Sequence, residues 1–289
     1  MPIRTPKFGA HMSVAGGLEN AFLAGAAVGC DCLQIFVKNQ RRWQASPLTA
    51  EQIAAFKAAE VETGLKPVVA HASYLLNLAS PVRAVRMQSI RAMIDEMQRC
   101  EALAITGLIF HPGAHLDGTI EQGIKHASAS LNAVDRACAG FETTILLETT
   151  AGQGTALGWR FEQLGRIIEG VSQPGRLGVC LDTCHLFAAG YDFRKAEGYQ
   201  AMVEELDSAI GLSYVRCIHM NDSKRELGSR VDRHEQIGKG KVGKNGFTHF
   251  VNDPRFVNVP MILETPKGKD GRGTDLDKVN LKRLRSLIT

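Results

Sequence analysis

The chain has 289 residues, 44% of them apolar and 22% charged, the balance of a globular protein rather than a disordered or fibrous one. Its length suits a single domain spanning residues 1–289, because α/β barrels use about 250 residues as one unit. A formal net charge of +4, from 34 basic against 30 acidic residues, is too small to argue for a nucleic-acid partner by itself.

In chain order, short β-rich runs recur at 8–10, 32–37, 67–70, 107–110, 144–147, 177–181, 214–218 and 259–263. They are almost continuously apolar, as parallel strands buried on both faces are. Helical spacing fills the intervals, as in PLTAEQIAAFKAAEVETG, where Thr49 is the expected N-cap and Gly64 the expected stop. Strand ends recur about every 36 residues, the length of one βα unit, so the predicted fold is a single (β/α)8 TIM barrel. A doubly wound sheet is the alternative.

The residues that follow these runs are His11, Lys38, His71, His111, Glu148, Asp182, His219 and Glu264. In a barrel they sit at the C-terminal face, where βα loops build the active site. Any one of them alone reads as an ordinary polar group at a strand end; Asp182 with His185, for instance, also fits a helix cap and a loop histidine. Six of them, His71, His111, Glu148, Asp182, His219 and Glu264, are metal-competent and together point instead to a metal site. His185 and the VDRH stretch, with Asp232 and His234 two apart and so on one side of an extended segment, add three more.

Five imidazoles and four carboxylates suit Zn²⁺, with Mn²⁺ or Fe²⁺ as competitors. Nine donors exceed what one ion takes; with one carboxylate shared they supply three ions. Three divalent ions against four carboxylates leave a positive site, suited to phosphate-ester hydrolysis. His11 and His115 lie at the same face and read either as supporting neighbours of the ligands or as simply structural residues. GQGTALG (152–158) is a weak match to a dinucleotide loop, lacking the acidic residue such a loop needs. The seven cysteines, without a CxxC pair, read as reduced core thiols in a cytoplasmic protein. Neither a signal core in residues 1–13 nor a membrane span is expected.

The blocks GAHMSVAGGLENA, FVKNQRRW, HPGAH, LLETTAGQGTALG, GVCLDTCHLFAAGYD, HMNDSKRELGSRVDRHEQIGKGKVG and ILETP resemble endonuclease IV, the metal-dependent AP endonuclease family of base-excision repair. They extend from about residue 8 to about residue 265. The resemblance implies a trinuclear zinc enzyme that cuts DNA 5′ to an abasic site and leaves a 3′-hydroxyl. Manganese is a possible substitute, and 3′-end cleaning an added activity. It implies one zinc on His71, His111 and Glu148, a second on Glu148, Asp182, His219 and Glu264, and a third on His185, Asp232 and His234. It further implies in-line attack of an activated water, with Glu264 orienting it or accepting its proton and Glu148 as the shared ligand.

By the same resemblance Arg41 enters the base stack near the lesion, and Tyr74 and Leu75 fill the space left by the extruded nucleotide. A monomer acting on double-stranded abasic DNA, in the cytoplasm and on the nucleoid, is expected. Two rival readings are a sugar isomerase or epimerase using only Glu148, Asp182, His219 and Glu264, and a DNA-binding protein with structural zinc.

Overall fold

The computed structural model describes residues 5–289; the first four residues of the expected domain, and of the stretch read for a signal, lie outside the described residues. Seven strands alternate with helices in the first three quarters of the chain: β1 (Phe8–His11), β2 (Cys32–Ile35), β3 (Val68–His71), β4 (Gly107–Phe110), β5 (Thr144–Glu148), β6 (Leu177–Asp182) and β7 (Val215–His219). Two short strands, β8 (Asp222–Ser223) and β9 (His234–Glu235), form an antiparallel ribbon, and β10 (Met261–Leu263) completes the cylinder. The order β1-β10-β7-β6-β5-β4-β3-β2 closes on itself with parallel pairing throughout. Closure excludes the doubly wound alternative. No helix among the described residues is long and apolar enough to cross a membrane.

Local chemistry starts and stops the helices as expected from the sequence. Thr49 caps Ala50–Thr63 with a reciprocal bond to Gln52, and Gly64 ends that helix at φ +68°, a conformation only glycine adopts freely. All seven cysteines are free and buried.

A separate apolar cluster of Cys32, Val69, Ile109, Leu146, Cys180, Cys217 and Ile262 takes one residue from each of seven strands. On β1 the matching position is Gly9, where a Cβ would lie 2.1 Å from the Cys32 carbonyl oxygen; only glycine admits that approach. This is a layer of the barrel interior. Side chains two residues further along face the same way. The next layer toward the C-terminal face is therefore His11, Gln34, His71, His111, Glu148, Asp182, His219 and Glu264, polar at all eight positions.

The second strand departs from expectation. It ends at Ile35 rather than residue 37, and Lys38 does not reach the inner face. Its buried ammonium lies 2.9 Å from Asp95 and 3.3 Å from Glu96 and donates to the Trp43 carbonyl. Glu96 in turn accepts from the Ser73 amide, and Ser73 Oγ donates to the Gln40 carbonyl at 2.7 Å. Lys38 thus ties the Arg41 loop to the Tyr74 loop.

Candidate metal centre

The nine expected donors converge at one end of the barrel. Their nitrogen and oxygen atoms fall into three groups, each within 4.8 Å: His71, His111 and Glu148; Glu148, Asp182, His219 and Glu264; and His185, Asp232 and His234. Glu148 belongs to two of them. Its Oε2 is 3.0 Å from His71 Nε2 and 3.1 Å from His111 Nε2, and its Oε1 is 3.0 Å from His219 Nδ1. The carboxylates differ in openness: Glu148 and Asp182 are fully buried, Glu264 is 12% exposed and Asp232 39%.

The imidazoles are held as metal ligands are held. His71 Nδ1 lies 2.7 Å from the Ala72 carbonyl, His185 Nδ1 2.8 Å from the Thr149 carbonyl, and His234 Nδ1 3.2 Å from the Glu264 carbonyl. A carbonyl accepts only, so each ring carries a proton on that side and turns the other nitrogen inward, its lone pair open to a metal once the proton held against the carboxylates is displaced. The buried Nε2 atoms of His185 and His234 have no partner in hydrogen-bond geometry among the described residues, and each faces an Asp232 oxygen, at 3.1 Å and 3.3 Å. Poorly satisfied buried nitrogens are costly, and a divalent cation between the two imidazoles and Asp232 would satisfy both.

Asp182 does two things. One oxygen caps the helix Thr183–Ala189 by accepting from the His185 amide at 2.8 Å, and the other accepts from Asn221 Nδ2. The cap and the metal-group membership are compatible, because each carboxylate oxygen has two lone pairs.

The third group stands on an arm outside the barrel. Ser223 pairs with His234 in the β8–β9 ribbon, and the buried Asp222 carboxylate accepts from the amides of Ser223, Gly240 and Val242. The Asp232 amide bonds Gln153 Oε1 in the glycine loop after β5, and Arg230 packs 4.0 Å above the Trp159 ring. That glycine loop therefore supports the arm; Asp222, Gln153, Arg230 and Trp159 carried no signal of this in the sequence.

Burial opposes charge at His71, His185 and His219. The carboxylates prevail, Glu148 at His71, Asp182 and Asp232 at His185, and Glu264 and Glu148 at His219, lifting all three above the usual histidine range. Reciprocally, despite burial, the histidines hold Glu148 and Glu264 well below the carboxylate range and Asp232 down to about 2. A metal entering the site must displace the imidazole protons. Affinity should therefore rise with pH across the interval that starts at the ordinary histidine value of about 6.5 and extends above it, and uptake should release protons. Metal titration in weak buffer with a pH indicator measures both; an affinity flat across that interval contradicts the assignment.

Two further groupings include thiols: Cys180 and Cys217 beside His219, and Cys184 with Asp182 and His234. Burial pushes the Cys184 thiol up to about 12 and Cys180 well above its ordinary range, so these two stay protonated and are poor donors.

His11, 3.7 Å from Glu264, lies inside the site. His115 does not; it bonds the Gly118 carbonyl in its own loop. Gln34 was missed, and its amide touches His11, His219 and Glu264. Arg41 is exposed, Leu75 half-buried, and Tyr74 61% exposed with its ring 5.3 Å from that of His71. Tyr74, Leu75 and His111 line a cavity of about 290 Å³ beside the donors.

Residues 22–287 match the family described as xylose isomerase-like TIM barrel. The probable endonuclease 4 of Chloroflexus aggregans is 51% identical over 98% of each chain. Among solved structures, endonuclease IV from Thermus thermophilus superposes with a TM-score of 0.84 at 35% identity, covering 98% of each chain. A D-tagatose 3-epimerase-like protein reaches 0.73 at 18% identity, covering 97% of this chain and 96% of its own, which is a likeness of fold. The chain belongs to the endonuclease IV family of xylose isomerase-like TIM barrels.

Proposed function

We propose that the chain is a DNA-repair AP endonuclease, a deoxyribonuclease IV that hydrolyses the phosphodiester 5′ to an abasic site and leaves a 3′-hydroxyl, with 3′-end cleaning as a related activity. The observation that carries this is the sharing of Glu148 between two donor groups, with a third group beside them. A sugar isomerase or epimerase needs the four-residue group alone and leaves His71, His111, His185, Asp232 and His234 unused.

In this reading the three groups hold three Zn²⁺ in the ligand sets described, with Mn²⁺ as a substitute. Bound zinc supplies Lewis acidity toward the phosphoryl oxygens and makes water nucleophilic near neutral pH. The protein does the rest. Glu148, shut off from solvent, holds the histidines on both sides of it in register. Glu264, partly open, is the carboxylate that orients the attacking water and takes its proton. Arg41, Tyr74 and Leu75 read the lesion: an abasic nucleotide has no base to unstack, so extruding it costs less than extruding an intact one. The exposed Tyr74 ring, 5.3 Å from that of His71, supports this reading with an aromatic surface beside the donors. The protein acts as a single-domain monomer on double-stranded DNA in the cytoplasm.

The test is incision of a labelled duplex bearing one tetrahydrofuran abasic analogue, against an intact duplex, before and after metal removal and zinc restoration. Tetrahydrofuran cannot undergo β-elimination. A metal-dependent cut 5′ to it with a 3′-hydroxyl product is the expected result; an intact analogue strand with zinc-loaded protein refutes the reading.

A further inference from the structure

Two members of the polar inner layer, His11 and Gln34, stand outside all three donor groups. Gln34 is fully buried on β2, and its side-chain amide is engaged at both ends. Oε1 lies 2.7 Å from His219 Nε2, while Nε2 donates to Glu264 Oε1 and lies 2.9 Å from His11 Nδ1. The neighbours determine how the amide points. A carboxylate accepts only, so the NH₂ faces Glu264 and the carbonyl oxygen faces the imidazole.

An amide oxygen also accepts only. His219 therefore carries a proton on Nε2, and Nδ1, which is 3.0 Å from Glu148 and 3.2 Å from Glu264 Oε2, is the nitrogen whose lone pair a metal would take once the proton it shares with those carboxylates is displaced. Glu264 is treated the same way: Oε1 takes the Gln34 N–H and Oε2 is left facing His219. Packing alone does not explain a glutamine here, because burying an amide costs free energy that an apolar side chain of similar size avoids.

We infer that Gln34 is a positioning residue of the metal centre, whose single amide sets the tautomer of His219 and the rotation of Glu264 together. The inference rests on the metal-centre reading above. His71, His185 and His234 use backbone carbonyls for the same purpose, which no substitution removes; His219 uses a side chain, which substitution can.

The experiment compares wild type with Gln34→Leu. Both are stripped of metal and titrated with Zn²⁺ against a chromophoric chelator, and unfolding temperatures are measured with and without metal. The expected result is a roughly 10–100-fold weaker affinity at one of the three sites, with the other two unchanged. The metal-free unfolding temperature should be equal or higher, and the stabilisation by zinc smaller. Unaltered affinity at every site would overturn the inference, as would a lower metal-free unfolding temperature with all sites weakened alike, the mark of a merely structural role. Wild-type protein that takes up no zinc would defeat the metal-centre reading itself, and that outcome is visible before the variant is compared.

Discussion

Glu148→Ala should empty most of the metal centre and abolish incision. The side chain is fully buried, and its two oxygens lie 3.0 Å or 3.1 Å from nitrogens of His71, His111 and His219. Removing it leaves three inward-facing imidazoles without the carboxylate that joins them. A metal at either of the two groups it serves would keep fewer donors and lose a negative charge. The group of His185, Asp232 and His234 does not include Glu148, so metal content should fall from near three toward about one per chain. Metal ions contribute several kcal/mol to transition-state stabilisation, and each ~1.4 kcal/mol is tenfold, so incision should drop on the order of 10³-fold or more. Metal analysis after dialysis and a tetrahydrofuran incision assay check the two parts separately. A variant that keeps three metals and full activity would remove Glu148 from the shared position.

Most of the inner layer was legible because the barrel repeats one arrangement eight times. Apolar runs end where the chain leaves the cylinder, and the residue after the run is then at the active face. That rule succeeds on β3 to β7, β10 and β1. It fails on β2 because Phe36 and Val37 prolong the apolar run past the end of the strand, which carries the count on to Lys38. The period of two would have found the right residue: Gln34 is the one polar side chain in CLQIFV, two positions beyond an interior cysteine.

The arm was harder to read. Asp232 and His234 stood out by their spacing, but what holds them comes from distant segments. Asp222 bonds amides up to twenty residues ahead, and Gln153 reaches Asp232 from seventy-nine residues away. Such long-range hydrogen bonds leave no periodic trace. The same is true of Lys38, whose partners Asp95 and Glu96 lie on the helix Arg83–Ala102.

Glu264→Gln tests the chemistry rather than the assembly. Glutamine keeps the size of the side chain, and the Glu264 amide still donates to Asn221 Oδ1 at 2.8 Å, so the backbone there has no reason to move. The charge is what disappears. Glu264 is held well below the ordinary carboxylate range, burial opposing and His219 and His11 prevailing, so in the wild type it is ionised at every pH at which the enzyme is assayed. An amide cannot accept a proton from water, and it meets the Gln34 N–H with only one acceptor atom. General-base assistance is worth about 10²–10⁴-fold, and incision should fall by that much. Binding of the abasic duplex should change little, because the residues proposed to read the lesion, Arg41, Tyr74 and Leu75, are untouched. Single-turnover incision and a binding isotherm on the same tetrahydrofuran duplex separate the two effects. A loss confined to binding would move Glu264 from chemistry to substrate capture, and unchanged incision would deny it either role.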